Sequence, residues 1–94
     1  METEYIRVDR TALETFCQNV FQSLKLSNDD ARIAAAVLVA ADAMGIPSHG
    51  VGRLGRYVDG LTTGLMLPDA PVEVLVDIPS SVVIHAHGAM GAPV

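Results

Sequence analysis

Tryptophan is absent from this 94-residue chain, aromatic residues make up 4% of it, and there is a single cysteine, Cys17. A lone cysteine excludes an internal disulfide and any multi-cysteine metal site. Base is scarce as well. Six Lys and Arg against eleven Asp and Glu leave a net charge of −5, too little positive charge to track phosphates, so nucleic acid is not an expected partner. Long hydrophobic runs are missing too. The longest, Ile33 to Ala41, is nine residues, far below the ~20 that a spanning helix needs, so no membrane segment is expected. The opening "METEYIRVDR" has acids where a secretory signal carries base and an apolar stretch. With the cysteine usage, this points to the cytoplasm.

What the chain does have is aliphatic surface. Half of its residues are hydrophobic and its mean hydropathy is +0.37. A chain of this length buries only roughly 60–65% of the surface it exposes when unfolded. Residues 1–94 therefore read as one small domain or a piece of a larger one, with apolar surface left over for a partner subunit or for the rest of a longer protein.

"YIRV" at 5–8 suits a short strand or an extended arm. Leu13, Phe16, Cys17, Val20, Phe21 and Leu24 then follow steps of three and one, the stripe of an amphipathic helix. Thr11-x-x-Glu14, or Asp9 just before it, supplies the N-cap, and Cys17 on the stripe reads as a packed core thiol. Ser27-x-x-Asp30 caps a second helix, which is apolar on every face from Ile33 to Ala41 and so is expected to be enclosed by neighbours. Gly45 in a left-handed conformation stops it, and Pro47 follows. Val51, Leu54, Val58 and Leu61 predict a third helix ending at Gly64. "VEVLVD" and "SVVIHAH", joined by "IPSS", predict a β-hairpin. The expected fold class is α+β: about three helices followed by a hairpin.

The polar chemistry gathers in "PSHGVGRLGRY", residues 47–57. With Ser48 as an N-cap, His49 opens a helix, and Arg53 and Tyr57 follow at steps of four. Each such step turns about 40° and climbs about 6 Å, so the three share one helix edge. That edge starts at a helix N-terminus, which favours an anion. Arg53 can hold a carboxylate through two parallel hydrogen bonds, His49 can exchange a proton near neutral pH, and Tyr57 adds a hydroxyl. The glycines at 50, 52 and 55 leave room for a backbone or ligand to approach. The same three residues also fit a solvated face with mutual hydrogen bonds. Arg56 lies off this edge and reads as a surface charge.

Residues 40–71, "AADAMGIPSHGVGRLGRYVDGLTTGLMLPDAP", closely resemble a segment of the malate/L-lactate dehydrogenase family of the second type, relatives of ureidoglycolate and sulfolactate dehydrogenases. This family is unrelated in fold to the Rossmann-type lactate and malate dehydrogenases. The resemblance implies an NAD- or NADP-dependent oxidoreductase that passes a hydride between nicotinamide and C2 of a 2-hydroxy or 2-oxo acid. It implies that Arg53 orients a small carboxylate substrate, that His49 serves the reacting oxygen as the catalytic residue, and that Ser48 and Tyr57 support them. It also implies a homo-oligomer, or association with a complementary segment. The family is several times longer than 94 residues, so the expectation is an N-terminal segment without the cofactor-binding region, inactive alone. "GAMGAP" has glycines but no strand–turn–helix of the dinucleotide type. His85 stands where relatives commonly carry Asp.

Two other readings compete. A non-catalytic helical oligomerisation module would keep the dimer-forming helices and be indifferent to substitution of His49 or Arg53. A metal-binding reading rests on His85 and His87 alternating on one strand face, without a third ligand.

Overall fold

A computed structural model describes residues 7–93. The expected strand or arm at 5–8 falls largely outside the described residues. Three helices precede a two-stranded antiparallel hairpin: α1 (Arg10–Ser23), α2 (Asn28–Ala43), α3 (Leu54–Thr63), β1 (Glu73–Ile78) and β2 (Ser81–His85).

Local chemistry sets most of the boundaries. Asp9 caps α1, its carboxylate accepting the Ala12 N–H at 2.9 Å. Ser27 caps α2, its hydroxyl accepting the Asp30 N–H at 3.1 Å, with Asp29 and Asp30 in the positively polarised first turn. Gly45 follows the end of α2 at φ 76°, and Gly64 ends α3 at φ 83°, a region where a side chain would be strained.

The core is the seam between α1 and α2. Cys17 and Phe21 are fully buried against Ala31, Ala34, Ala35 and Leu38, and Leu26 closes the end. Alanines on α2 let the two helices approach closely. Met90 reaches back from beyond the hairpin into this cluster. That return is fixed by the Leu67 N–H donating to the Gly88 carbonyl at 2.8 Å and by the Leu67–Ala89 bridge. The α1 stripe is narrower than its periodicity predicts: Cys17 and Phe21 are buried, whereas Phe16 is 58% exposed. Nor is α2 enclosed. Its outer side leaves Val37 and Met44 in solvent, because no element among the described residues covers it.

The hairpin turns at Pro79–Ser80 and pairs Val74 with Ile84, Val76 with Val83 and Asp77 with Val82, with a bulge between Val74 and Val76. Both of its faces are exposed, including Val74, Leu75, Val76, Ile78, Val82, Val83 and Ile84. The radius of gyration, 15.2 Å, exceeds the about 12 Å of a compact chain of this length. The hairpin stands off the helical body, and the apolar surplus of the composition sits largely there and on the outer side of α2. No helix among the described residues is long and apolar enough to cross a membrane.

Candidate functional site

The segment between α2 and α3 does not form the single helix that its spacing predicts. It makes two short 3₁₀ turns, Pro47–His49 and Val51–Arg53, and α3 begins only at Leu54. Gly50 separates the turns in an extended conformation, φ −96° and ψ −157°. The cause lies nine residues upstream of Val51. The Asp42 carboxylate, near the end of α2, accepts the Val51 N–H at 2.9 Å. It also occupies the place where a Cβ on residue 50 would sit. Gly50 is buried beneath it, so a side chain at residue 50 would have to displace the carboxylate. At Gly52 and Gly55 nothing lies within 4 Å of the place a methyl group would take, so of the three glycines only Gly50 is closely approached.

This bend changes the placement of the expected site residues. Ser48 makes no capping hydrogen bond, and Arg53 takes the N-cap position of α3 instead. His49, Arg53 and Tyr57 consequently do not share one helix edge. Ser48 Oγ lies 3.0 Å from His49 Nδ1. The hydroxyl donates to Nδ1 in one tautomer and accepts from Nδ1–H in the other, and in both Nε2 is the nitrogen left free to meet a ligand. Arg53 Nε donates to the Ser48 carbonyl, which ties the second turn back onto the first. The rest of the Arg53 fork has no carboxylate partner among the described residues. Tyr57 turns inward: it packs on the core cluster, its ring centroid 6.2 Å from that of Phe21.

The structure therefore brings Ser48, His49 and Arg53 together and sets Tyr57 apart on the core side. Pro47, Ser48, Gly52 and Arg53 line an open groove of about 370 Å³, and Arg56 is its fifth wall. Arg56 is exposed, in keeping with its reading as a surface charge; its place beside Arg53 in the groove is not foreseen by the steps of four from His49. The signal that could have found it is Arg53-x-x-Arg56, a spacing of three on a helix that starts at Leu54.

His85 and His87 are the other polar cluster. Their rings stack at a centroid distance of 3.8 Å, and His87 Nε2 lies 3.0 Å from Glu73 Oε2 across the hairpin base. No group of three or more His, Cys, Asp or Glu arranged to hold a metal ion occurs among the described residues. Cys17 sits in the core, and its thiol is pushed up by burial first, then by the charges of Asp42 and Glu14.

Comparison with known proteins decides the ancestry of this arrangement. The profile of the malate/L-lactate dehydrogenase family matches residues 8–94. The chain belongs to that family. The malate dehydrogenase of Pyrococcus horikoshii is 37% identical over 91 residues, 97% of this chain and 25% of that protein. Its solved structure superposes with a TM-score of 0.90 at 39% identity, covering 94% of this chain and 25% of that one. The sulfolactate dehydrogenase of Methanocaldococcus jannaschii gives a TM-score of 0.89 at 26% identity, over 94% of this chain and 26% of that one. The NAD(+)-named ureidoglycolate dehydrogenase of Escherichia coli K12 is 30% identical over 86 residues, 92% of this chain and 25% of that protein. The chain thus spans about a quarter of the length of the relatives it matches. The three helices and hairpin are the N-terminal part of the malate/L-lactate dehydrogenase fold.

Proposed function

We propose that this chain provides the substrate side of an NAD- or NADP-dependent 2-hydroxy-acid dehydrogenase of the cytoplasm. The observation that carries the reading is the pair of 3₁₀ turns held by Asp42, which place Ser48 and Arg53 in the wall of an open groove, with His49 Nδ1 3.0 Å from Ser48 Oγ. In this reading Arg53 receives the substrate carboxylate on the part of its guanidinium not used by the Ser48 carbonyl. His49 Nε2 faces the oxygen on C2: it donates to a carbonyl when it carries the ring proton, and takes the proton of a hydroxyl in the other tautomer, in which Nδ1–H donates to Ser48 Oγ. Ser48 holds the His49 ring through the 3.0 Å contact to Nδ1, donating or accepting with the tautomer. Tyr57, its ring packed near Phe21, supports the rim from the core side.

In this reading the nicotinamide dinucleotide is held mainly by parts of the family's fold that this chain, a quarter of its relatives' length, does not span. The chemistry assigned to these 94 residues is therefore confined to anion binding and proton handling, and the chain alone is proposed to be inactive. Its exposed hairpin and the outer side of α2 are proposed to be covered by a second copy or by a complementary segment.

The test is a fluorescence titration of the purified chain with NADH and then NADPH, followed by assay with 2-oxo acids. The expected result is no saturable cofactor binding and no turnover. Saturable binding at micromolar cofactor would show a working cofactor site and overturn the assignment of the chain to the substrate side alone. The alternative, a non-catalytic oligomerisation module, is favoured by the exposed apolar surface but leaves the convergence of Ser48, His49 and Arg53 without a purpose.

A further inference from the structure

The chain carries net charge −5 and only six Lys and Arg. Two of those six, Arg53 and Arg56, line the same groove, three residues apart across the start of α3. Neither guanidinium meets a carboxylate: the single ion pair among the described residues is that of His87 with Glu73. Asp42 accepts the Val51 N–H, and Asp59, three residues beyond Arg56 on α3, forms no ion pair with it. Placing two uncompensated cations side by side costs repulsion that an acidic chain could relieve by pairing either of them with one of its eleven acids. Arg56, Arg53 and Ser48 all line the groove, and the Ser48 hydroxyl reaches His49. The groove's volume of about 370 Å³ has room for a small acid between the two guanidinium groups and Ser48.

We infer that Arg56 is a specificity-determining residue that binds a second anionic group, a carboxylate or sulfonate, at the end of the substrate remote from C2. The inference rests on the proposed function for the roles of Arg53 and His49, and adds a residue and a preference. Arg53 takes the carboxylate next to C2, while Arg56 takes the distal anion. A 2-hydroxy acid with a methyl group at the distal position leaves Arg56 solvated and gains nothing from it. The chain's overall negative field disfavours a dianion relative to a monoanion. A preference for the dianion therefore reports local pairing rather than general attraction.

The experiment is an NMR titration of the uniformly ¹⁵N-labelled chain with malate and, separately, lactate, following the backbone amides of 48–56 and the arginine Nε–Hε signals. The same titrations are run on Arg56→Gln, Arg56→Lys and Arg53→Gln, each first checked for an unchanged amide spectrum outside the groove. Wild type is expected to bind malate about fivefold more tightly than lactate, as one partly exposed ion pair provides. Arg56→Gln is expected to abolish that ratio while leaving lactate affinity unchanged. Arg56→Lys is expected to restore part of it, and Arg53→Gln to weaken both acids. Equal affinities in wild type, or a ratio that survives in Arg56→Gln, would overturn the role of Arg56 and leave the proposed function standing. Binding of neither acid would overturn the role of Arg56 too, and the reading of Arg53 with it.

Discussion

Gly50→Ala is the substitution that probes most sharply how this chain shapes its site. The backbone at residue 50 is extended, a conformation open to alanine, so no dihedral strain is expected. The difficulty is the Asp42 carboxylate, which stands where the new methyl group would be. Asp42 must rotate away and thereby release the Val51 N–H that it holds at 2.9 Å. Losing a charge-assisted hydrogen bond costs about 1.5–3 kcal/mol, or roughly 10 °C in Tm for a domain this small. Asp42→Ala removes the same bond by another route and is expected to cost about as much. The two losses are one loss, so Gly50→Ala/Asp42→Ala together should cost close to either alone, with a coupling energy of about 1.5–3 kcal/mol. Urea unfolding of the four proteins, read at constant m value, measures this cycle. Additive costs, or a silent Gly50→Ala, would refute the claim that the carboxylate and the bare α-carbon form one device.

Three further outcomes are expected. Burial raises the Cys17 thiol above its ordinary value of 9.0, so its contribution is full below that value and is lost as pH climbs through the raised folded value. Stability should decline in alkali, and Cys17→Ala should flatten that decline in urea titrations run across the alkaline range. Phe21→Ala empties the centre of the α1–α2 seam and removes the contact with Tyr57. A cost of about 3–5 kcal/mol is expected, enough to lose cooperative thermal unfolding by circular dichroism. Val76→Lys places a charge on the exposed hairpin opposite Val83. It should reduce binding of a hydrophobic dye and concentration-dependent association in sedimentation, with the far-ultraviolet spectrum unchanged; undiminished dye binding would place the sticky surface elsewhere.

Much of the fold was legible because its signals are local. Asp9, Ser27, Gly45 and Gly64 mark ends through contacts or dihedrals within a few residues, and the runs rich in Val and Ile pointed to the hairpin. The family was legible from the "SHGVGRLGRY" core for a different reason: a dense motif of chemically specific residues. What escaped was set by distant partners. The break at Gly50 depends on the Asp42 side chain, which reaches across from the preceding helix to Val51, and helical spacing has no means of registering it. Beyond that break, Tyr57 packs on Phe21 and Arg56 lines the groove with Arg53. The burial of α2 was overestimated because apolar composition shows which surface needs cover, and not whether this chain provides it.

The most direct test of the substrate-side assignment transplants the chain. Residues 8–94 replace the corresponding quarter of the Pyrococcus horikoshii malate dehydrogenase, and NADH- or NADPH-dependent reduction of 2-oxo acids is measured for the chimaera and for its His49→Ala and Arg53→Gln forms. The expected result is a working dehydrogenase in which His49→Ala lowers kcat by about 10²–10⁴-fold, while Arg53→Gln acts chiefly through KM. A folded, active chimaera indifferent to both substitutions would contradict the assignment, and would make these helices an assembly module rather than a wall of the active site.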